Sequence, residues 1–460
     1  MSGSSALMAI GHIFLFHILF LSFSEPFGHG AGAPLVKTKS HATPFLCSGP
    51  EKGLRVVHKY GPCSPFGLNK TAATSSQILI QDERRVRLVY RSHEKRGGVG
   101  KGKGNRKDAR ETYPLNNALG AGNFLVQVGF GTPVQTFHLT LDTGSFVTWV
   151  RCQPPTSRCQ QRQKPLLFYP SCSTTSSNAS CWPSCKYEQW YKDHSNAAGN
   201  FLVDTLRIED DDKVEYEIPE FVFLCALTDN GDFGKASGIL GLGLGSSSYK
   251  FGSYSPVSQT ATMFDKVFCH CLPTLENSKG YVYFGEKARE NCPFSGSYTP
   301  LLRKPSAGPT NFYYVNLIAI TINQKRVPIS SGVSSPGTIL DSGTVIIRLP
   351  SSVYSVLRSE FQGWMTDYPR APPDELLDTC YNLEGYANSE IPKMVLHFEN
   401  LDVNLDQTAI TWNAKGKSKV CWAFAANEDG LTIIGNHQQQ KLNILYNIPD
   451  QRVEIGPGKC

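Results

Sequence analysis

The sequence predicts an all-β body folded as two pseudo-equivalent lobes with a few short helices, and three observations predict it. From about Leu115 onward the chain is a succession of short runs such as NFLVQVGFG, EIPEFVFLC, GYVYFGE, FYYVNLIAITI and KLNILYN, with Gly, Pro, Asn and Asp between them. Such runs of β-branched and aromatic residues between turn formers read as strands. Helical signals are few. The clearest is Ser351 to Phe361, where SSVYSVLRSEF begins with Ser after a Pro and spaces its apolar residues three and four apart. The third observation is a repeat: LDTGSFV at 141–147 returns as LDSGTVI at 340–346.

Taken from the N-terminus, Ala6 to Phe23 is nearly all apolar or aromatic and is followed by Gly30-Ala31-Gly32-Ala33, which reads as a secretory signal over residues 1–33. No Lys or Arg precedes the apolar run, and His12 and His17 interrupt it. Fourteen cysteines and 29 prolines suit a secreted product. No later stretch is long and apolar enough to span a bilayer. Residues 34–115 read as a propart. Within it, Arg84 to Arg110 holds eleven Lys and Arg residues against Glu94 and Asp108, so this one segment supplies the formal charge of +6 and the remainder is net negative. Its glycines and its lack of apolar periodicity predict a solvated basic linker over 84–110 that proteases can reach. Contact with nucleic acid is the competing reading, to be recognised by salt-dependent binding, and is not the expected one. The body then divides into lobes at 116–310 and 311–460. Setting Cys47 and Cys63 aside with the propart leaves twelve cysteines, an even number that permits full pairing.

One Asp-Thr-Gly is ordinary turn chemistry. Its repetition is not: Asp142 matches Asp341, Gly144 matches Gly343, and Ile239-Leu240-Gly241 follows the first at nearly the spacing at which Ile433-Ile434-Gly435 follows the second. Two lobes built on one plan would each offer one carboxylate. If the two turns meet, like charges a few ångström apart share a single proton over an acidic range. One carboxyl can then take a proton from a water while the other gives one to a carbonyl oxygen, which is peptide hydrolysis without metal, cofactor or covalent intermediate. Gly144 and Gly343 let backbone amides approach the carboxylates, the neighbouring hydroxyls can donate to them, and Gly241 and Gly435 let a strand pass behind each turn.

The stretches LDTGSFVTWVRC, the Cys181 to Cys185 region, GILGLGLG, KVFCHCLP, GTILDSGTVIIRLPSSVYSVLRSEF, LDTCYNLEGY, LTIIGNHQQQ and GPGKC resemble the pepsin-type aspartic proteases, and more closely their plant nepenthesin-like group, which includes a chloroplast nucleoid protease. VVHKYGPCSP at 56–65 resembles that group's propart. The resemblance covers the whole body and implies a bilobal pepsin-like fold. It implies a monomeric aspartic endopeptidase made as a zymogen, acting on polypeptides and held by its own propart, in the apoplast, vacuole or plastid. Asp142 and Asp341 would be the dyad, Ser145 and Thr344 donors to the outer carboxylate oxygens, and Thr143 and Ser342 braces between the turns. A flap would carry Tyr191, with Asp193, Ser195, Gly199 and Asp204 in their usual places and Trp149 holding the Tyr191 hydroxyl; residue type alone favours an aromatic packing pair, and it is the register counted from Cys185 that points to the flap. The competing reading is a catalytically weak or inactive protein-binding relative of the glycosidase-inhibitor kind, and such relatives tend to lose a catalytic aspartate or its turn.

Departures from the group's pattern are Lys192 and His194 in the flap, the loss of glycines around Cys225 in FLCAL, and the extra Cys269 and Cys292, for which a mutual disulfide is an expectation. Cys269-His270-Cys271 lacks a zinc-finger spacing, no serine-hydrolase elbow or His-Glu-x-x-His motif occurs, and GILGLGLG lacks the spacing of a dinucleotide loop. Asn69 and Asn178 stand in glycosylation sequons. A glycine at the flap position would lie closer to substrate than a lysine can. Lys192→Gly should therefore change turnover and cleavage-site profile on a peptide library, and identical profiles would remove Lys192 from substrate selection.

Overall fold

The duplicated motif folds as two copies of one strand crossing, one in each half of the body. The computed structural model describes residues 53–66, 75–97 and 122–460, apart from 155–158, 160–166, 182–184, 191–195, 211–212, 231–234, 246–250, 277–279, 293–296, 303–311, 330–336, 387–388, 414–417 and 429. Ala42–Cys460 form one unit, and Met1–His41, where the signal is expected, lie outside the described residues.

In the first half, strands β1 (Leu54–His58), β2 (Phe124–Phe130), β3 (Gln135–Asp142) and β4 (Trp149–Arg151) belong to a 14-stranded sheet. β2 pairs antiparallel with β3, and β3 runs parallel to Gly238–Gly241, which is also paired with β4. Strand β1, in the stretch expected to be a propart, lies between β2 and Gly280–Phe284, with Val56 opposite both Val126 and Gly280. Beyond it the sheet continues through Val267–Cys271 to the C-terminal strands Leu442–Asn447 and Arg452–Pro457. A segment that precedes the body in sequence is thus an interior member of a sheet to which both ends of the body contribute. The alternation of the strands buries a cluster in which Phe130 meets Phe223 with ring centroids 4.6 Å apart and Phe168 meets Phe223 at 5.5 Å.

In the second half, Tyr313–Val315, Thr338–Leu340, Thr432–Ile434, Ile347–Pro350 and Phe424–Asn427 form a five-stranded sheet, and two further sheets have four strands each. The expected helix runs Ser351–Trp364 and buries Val353, Tyr354, Leu357 and Phe361, the face that its apolar spacing marks out. Tyr354 and Phe361 stack on Trp422 at 5.4 and 5.2 Å. The twelve body cysteines form six disulfides: Cys152–Cys225, Cys159–Cys172, Cys181–Cys185, Cys269–Cys292, Cys271–Cys460 and Cys380–Cys421. The Cys269–Cys292 bond is thus present, and Cys271, two residues along on the same face of the strand, joins Cys460 instead.

The expectation of a solvated linker from Arg84 needs correction over its first part. Ser75–Gly97 is one helix, α1, and Arg85 within it is almost wholly buried while Arg84 and Arg87 are exposed. Leu79 packs in a cluster with Val345, Ile346 and Leu377, and Val86 in one with Phe312, Tyr314 and Ile433. Asp82 and Arg85 stand between them, buried on the same face. A helix whose inward face is half charged has no clear apolar period, which is why its sequence reads as a linker. Its N-terminus is tied to the second half by Ser76 Oγ, which donates to Asp374 at 2.7 Å, and by the Trp412 indole, which donates to Ser75.

His58 of β1 is buried, accepts a hydrogen bond on Nδ1 from the Tyr60 amide at 3.2 Å and meets Phe124 edge-on at 5.2 Å. Burial, then the neighbouring His437 and Lys59, hold its pKa down to about 3 from 6.5. A histidine kept neutral in this way stabilises the docked strand above its ordinary pKa and loses that contribution as pH falls from 6.5 towards 3. The urea midpoint of the full-length chain should therefore drop across this range, and His58→Gln should shrink the drop. An identical slope in wild type and variant would contradict this.

Candidate active site

Each acidic turn is built the same way. β3 delivers Asp142 beside Gly241 of the parallel strand Gly238–Gly241, and Thr338–Leu340 delivers Asp341 beside the parallel strand Thr432–Ile434, whose Ile434 carbonyl accepts the Asp341 amide at 3.1 Å. A Cβ at Gly241 would meet the carbonyls of Ser145 and Val147, and one at Gly435 the carbonyl of Val345. Only glycine lets the second strand pass behind each turn.

The two turns are joined to each other. The Thr143 amide donates to Ser342 Oγ at 3.0 Å and the Ser342 amide to Thr143 Oγ1 at 2.9 Å. The same hydroxyls donate onward to the Leu340 and Leu141 carbonyls, each at 3.2 Å. Four reciprocal bonds in a fully buried seam fix one turn against the other. Each carboxylate is also held locally. Asp142 Oδ1 accepts from the Gly144 amide at 2.8 Å and Oδ2 from Ser145 Oγ at 2.5 Å. Asp341 Oδ1 accepts from the Gly343 amide at 2.9 Å and Oδ2 from Thr344 Oγ1 at 2.6 Å. The glycines are needed for approach: a Cβ at Gly144 would collide with Asp341, and one at Gly343 with Asp142.

The two acids converge on a single cation. Arg85 Nη2 lies 2.9 Å from Asp142 Oδ1 and 2.9 Å from Asp341 Oδ1, Nη1 donates to Asp142 Oδ2 at 3.0 Å, and Nε to Asp341 Oδ2 at 3.3 Å. The planar fork of a guanidinium suits two carboxylates at once, as an ammonium would not. All three side chains are closed to solvent. Burial alone would lower the arginine's pKa, but the adjacent Asp142 and Asp341 outweigh it and the net shift is upward, so Arg85 stays charged. Asp341 is raised, first by burial and also by Asp142, against the pull of Arg85 and the bonds from Thr344 and Gly343. The arrangement holds two carboxyl groups, with ready hydrogen-bond donors, around a point that a water molecule could take if the arginine left.

Of the other residues singled out by the sequence, Trp149 is buried in β4 among Phe146, Val147, Tyr187 and Phe201. The hairpin formed by Lys186–Trp190 and Asn196–Asp210 is in place, with Gly199 opposite Tyr187. Tyr191, Lys192, Asp193, His194 and Ser195 fall outside the described residues, as does Asn69. Asp204 is buried, accepts from Thr175 Oγ1 at 2.5 Å and is remote from the dyad in its bonding. Asn178 is exposed on the short strand Ser177–Asn178. Two site residues escaped the sequence reading: Arg85, lost in a run of basic residues, and Asp82, whose carboxylate accepts from the amides of Val345 at 2.6 Å and Ile346 at 3.1 Å. The available signal was the spacing of an acid and a base three apart between Leu79 and Val86.

Comparison with known proteins places this geometry. The family described as Xylanase inhibitor C-terminal matches residues 312–457, and that described as Xylanase inhibitor N-terminal matches 124–184 and 182–286. An aspartyl protease family protein of Arabidopsis thaliana is 34% identical, covering 89% of this chain and 88% of its own. Aspartyl protease AED1 of the same plant is 32% identical over 90% and 88%, and aspartic proteinase nepenthesin-1 of Nepenthes gracilis 26% identical over 74% and 79%. Among solved structures, basic 7S globulin from soybean aligns with a TM-score of 0.55 at 19% identity, covering 72% of this chain and 92% of that one.

Removing one member of a buried charge cluster leaves the others uncompensated, at a cost of about 3–5 kcal/mol. Arg85→Met should accordingly lower the urea midpoint of the full-length chain and expose α1 to trypsin, with Arg85→Lys intermediate. Unaltered protection of α1 in Arg85→Met would show that the guanidinium does not anchor it.

Proposed function

Because this chain belongs to the pepsin-like aspartyl protease family of plants, we propose that it is an aspartic endopeptidase, made in the secretory pathway as a zymogen whose propart occupies its own active site. The observation that carries the proposal is the pair of buried carboxylates, Asp142 and Asp341, meeting on one guanidinium nitrogen from turns that are bonded to each other.

With Arg85 withdrawn, two like charges at this distance retain one proton between them. One carboxyl deprotonates a water placed between them as it attacks the scissile carbonyl carbon. The other donates its proton to the carbonyl oxygen, giving a tetrahedral intermediate. Collapse of that intermediate breaks the C–N bond, with a proton passing to the leaving amine and the dyad returned to its starting state. Ser145 and Thr344 hold the outer oxygens, so both carboxyl planes stay aimed at the shared point through the cycle. The substrate is an extended polypeptide in the cleft that α1 fills in the proform. Removal of a signal near residue 33, cutting of the chain between α1 and β2, and a glycan on the exposed Asn178 belong to the same reading.

A second reading, a protein-binding relative without catalysis, is favoured by the inhibitor descriptions of the matching families. Retention of both aspartates with their full sets of donors favours catalysis. Acid incubation of the purified proform with a denatured protein decides between them. Proteolysis should appear, be blocked by pepstatin, and fall about 10²–10⁴-fold in either Asp142→Asn or Asp341→Asn. Undiminished cleavage in both variants would dismiss the dyad, and no cleavage by wild type under any acid condition would favour the binding protein.

A further inference from the structure

Arg348 has no part in the chemistry above, yet it is a charged group buried as completely as the dyad. It stands on Ile347–Pro350, opposite Ile433 and beside Ala425, in the sheet behind the Asp341 turn. Its Nη1 donates to the Ile346 carbonyl at 2.9 Å, so the body itself fixes the guanidinium. Among the described residues its ion pairs are with Asp82 Oδ2 at 2.8 Å and Glu83 at 3.4 Å, both of the propart. Its buried Nε has no hydrogen-bond partner. The same Asp82 carboxylate accepts the Val345 and Ile346 amides, which lie four and five residues beyond Asp341 along the active-site turn. Asp82 is one helical turn from Arg85, so the carboxylate and the dyad contact are presented by one face of one segment.

When the propart leaves, a buried arginine and two aimed N–H groups lose the carboxylates that, among the described residues, pair with the arginine, and a buried charge without a partner is strongly destabilising. The body therefore keeps a site built for an anion, adjoining the catalytic aspartates, in the cleft where substrate is expected. We propose that Val345 N–H, Ile346 N–H and the Arg348 guanidinium form a substrate subsite that takes a carboxylate side chain, so that the mature protein selects polypeptides carrying Asp or Glu a short distance to one side of the scissile bond. Asp82 fills this subsite in the proform as a substitute for that residue. The inference rests on the endopeptidase reading for its biological sense, but its ligand chemistry can be measured by binding alone.

The full-length Asp142→Asn chain, folded with its propart, would be nicked with trypsin between residues 98 and 121 and freed of the propart at low pH. Fluorescent peptides identical except for Glu or Gln at successive positions would then be titrated at pH 6. At one position the Glu peptide should bind at least about tenfold tighter, a difference of about 1.4 kcal/mol. The ratio should fall towards one as pH drops through the ordinary glutamate pKa, about 4.3. In Arg348→Gln the ratio should be near one, and in Arg348→Lys intermediate, since a point charge keeps attraction without the fork. A ratio near one in the unaltered subsite at every position, no binding of either peptide, or a preference that survives Arg348→Gln would overturn the proposal. Should Arg348→Gln not fold, the Glu-to-Gln ratio of the unaltered subsite and its loss in acid decide the matter without it. With Asp142 restored, cleavage of both peptides at equal kcat/KM and equal affinity would refute the subsite alone. Binding selectivity without any cleavage would refute the endopeptidase reading alone.

Discussion

Two carboxylates buried at one point cannot both remain charged unless something supplies a positive charge or a shared proton, and the architecture around Asp142 and Asp341 answers that constraint. Burial pushes Asp341 upward and Asp142 beside it pushes in the same direction. The reciprocal bonds of Thr143 and Ser342 deny the two turns the option of drifting apart. In the full-length chain the remaining freedom is taken up by Arg85, which gives five hydrogen bonds to four carboxylate oxygens. An acid pair suited to hold one proton is, for the same electrostatic reason, suited to bind one guanidinium.

The segment of β1 and α1 is accordingly structural as well as placed against the two carboxylates. β1 supplies the strand between β2 and Gly280–Phe284, and removing it would leave two rows of backbone groups to be satisfied in another way. α1 places an ion on each of two body partners, Arg85 on the dyad and Asp82 on Arg348, with Leu79 and Val86 packed on either side. Charged contacts of this kind contribute little against apolar replacements of similar shape but penalise any arrangement that separates them. They specify where the helix sits more than how tightly the whole chain folds.

Legibility in the sequence followed from how regular each pattern was. The repeated Leu-Asp-Thr/Ser-Gly turns were visible because the chemistry constrains several neighbouring residues at once: a glycine to admit the facing carboxylate, a hydroxyl to hold it, and apolar strands on either side. The Ser351–Trp364 helix was visible because Val353, Tyr354, Leu357 and Phe361 all face the core. α1 was not, because Asp82 and Arg85 occupy positions that an apolar residue would take in an ordinary amphipathic helix, and each is explained only by a partner more than fifty residues away. Disulfide partners were likewise hidden, apart from Cys269 with Cys292, since Cys271 and Cys460 meet only when the last strands return to the shared sheet.

The sequence by itself determined that this is a β protein with a duplicated acidic turn, that each turn is backed by a glycine-bearing strand, and that a basic segment precedes the body, because these follow from residue type and spacing along the chain. Only the tertiary structure decided that the two carboxylates share one cation, that Arg85 of all the basic residues supplies it, and that Arg348 depends on a carboxylate brought by α1. Charges find their partners through space, and a buried ion is satisfied by whichever group the fold carries to it.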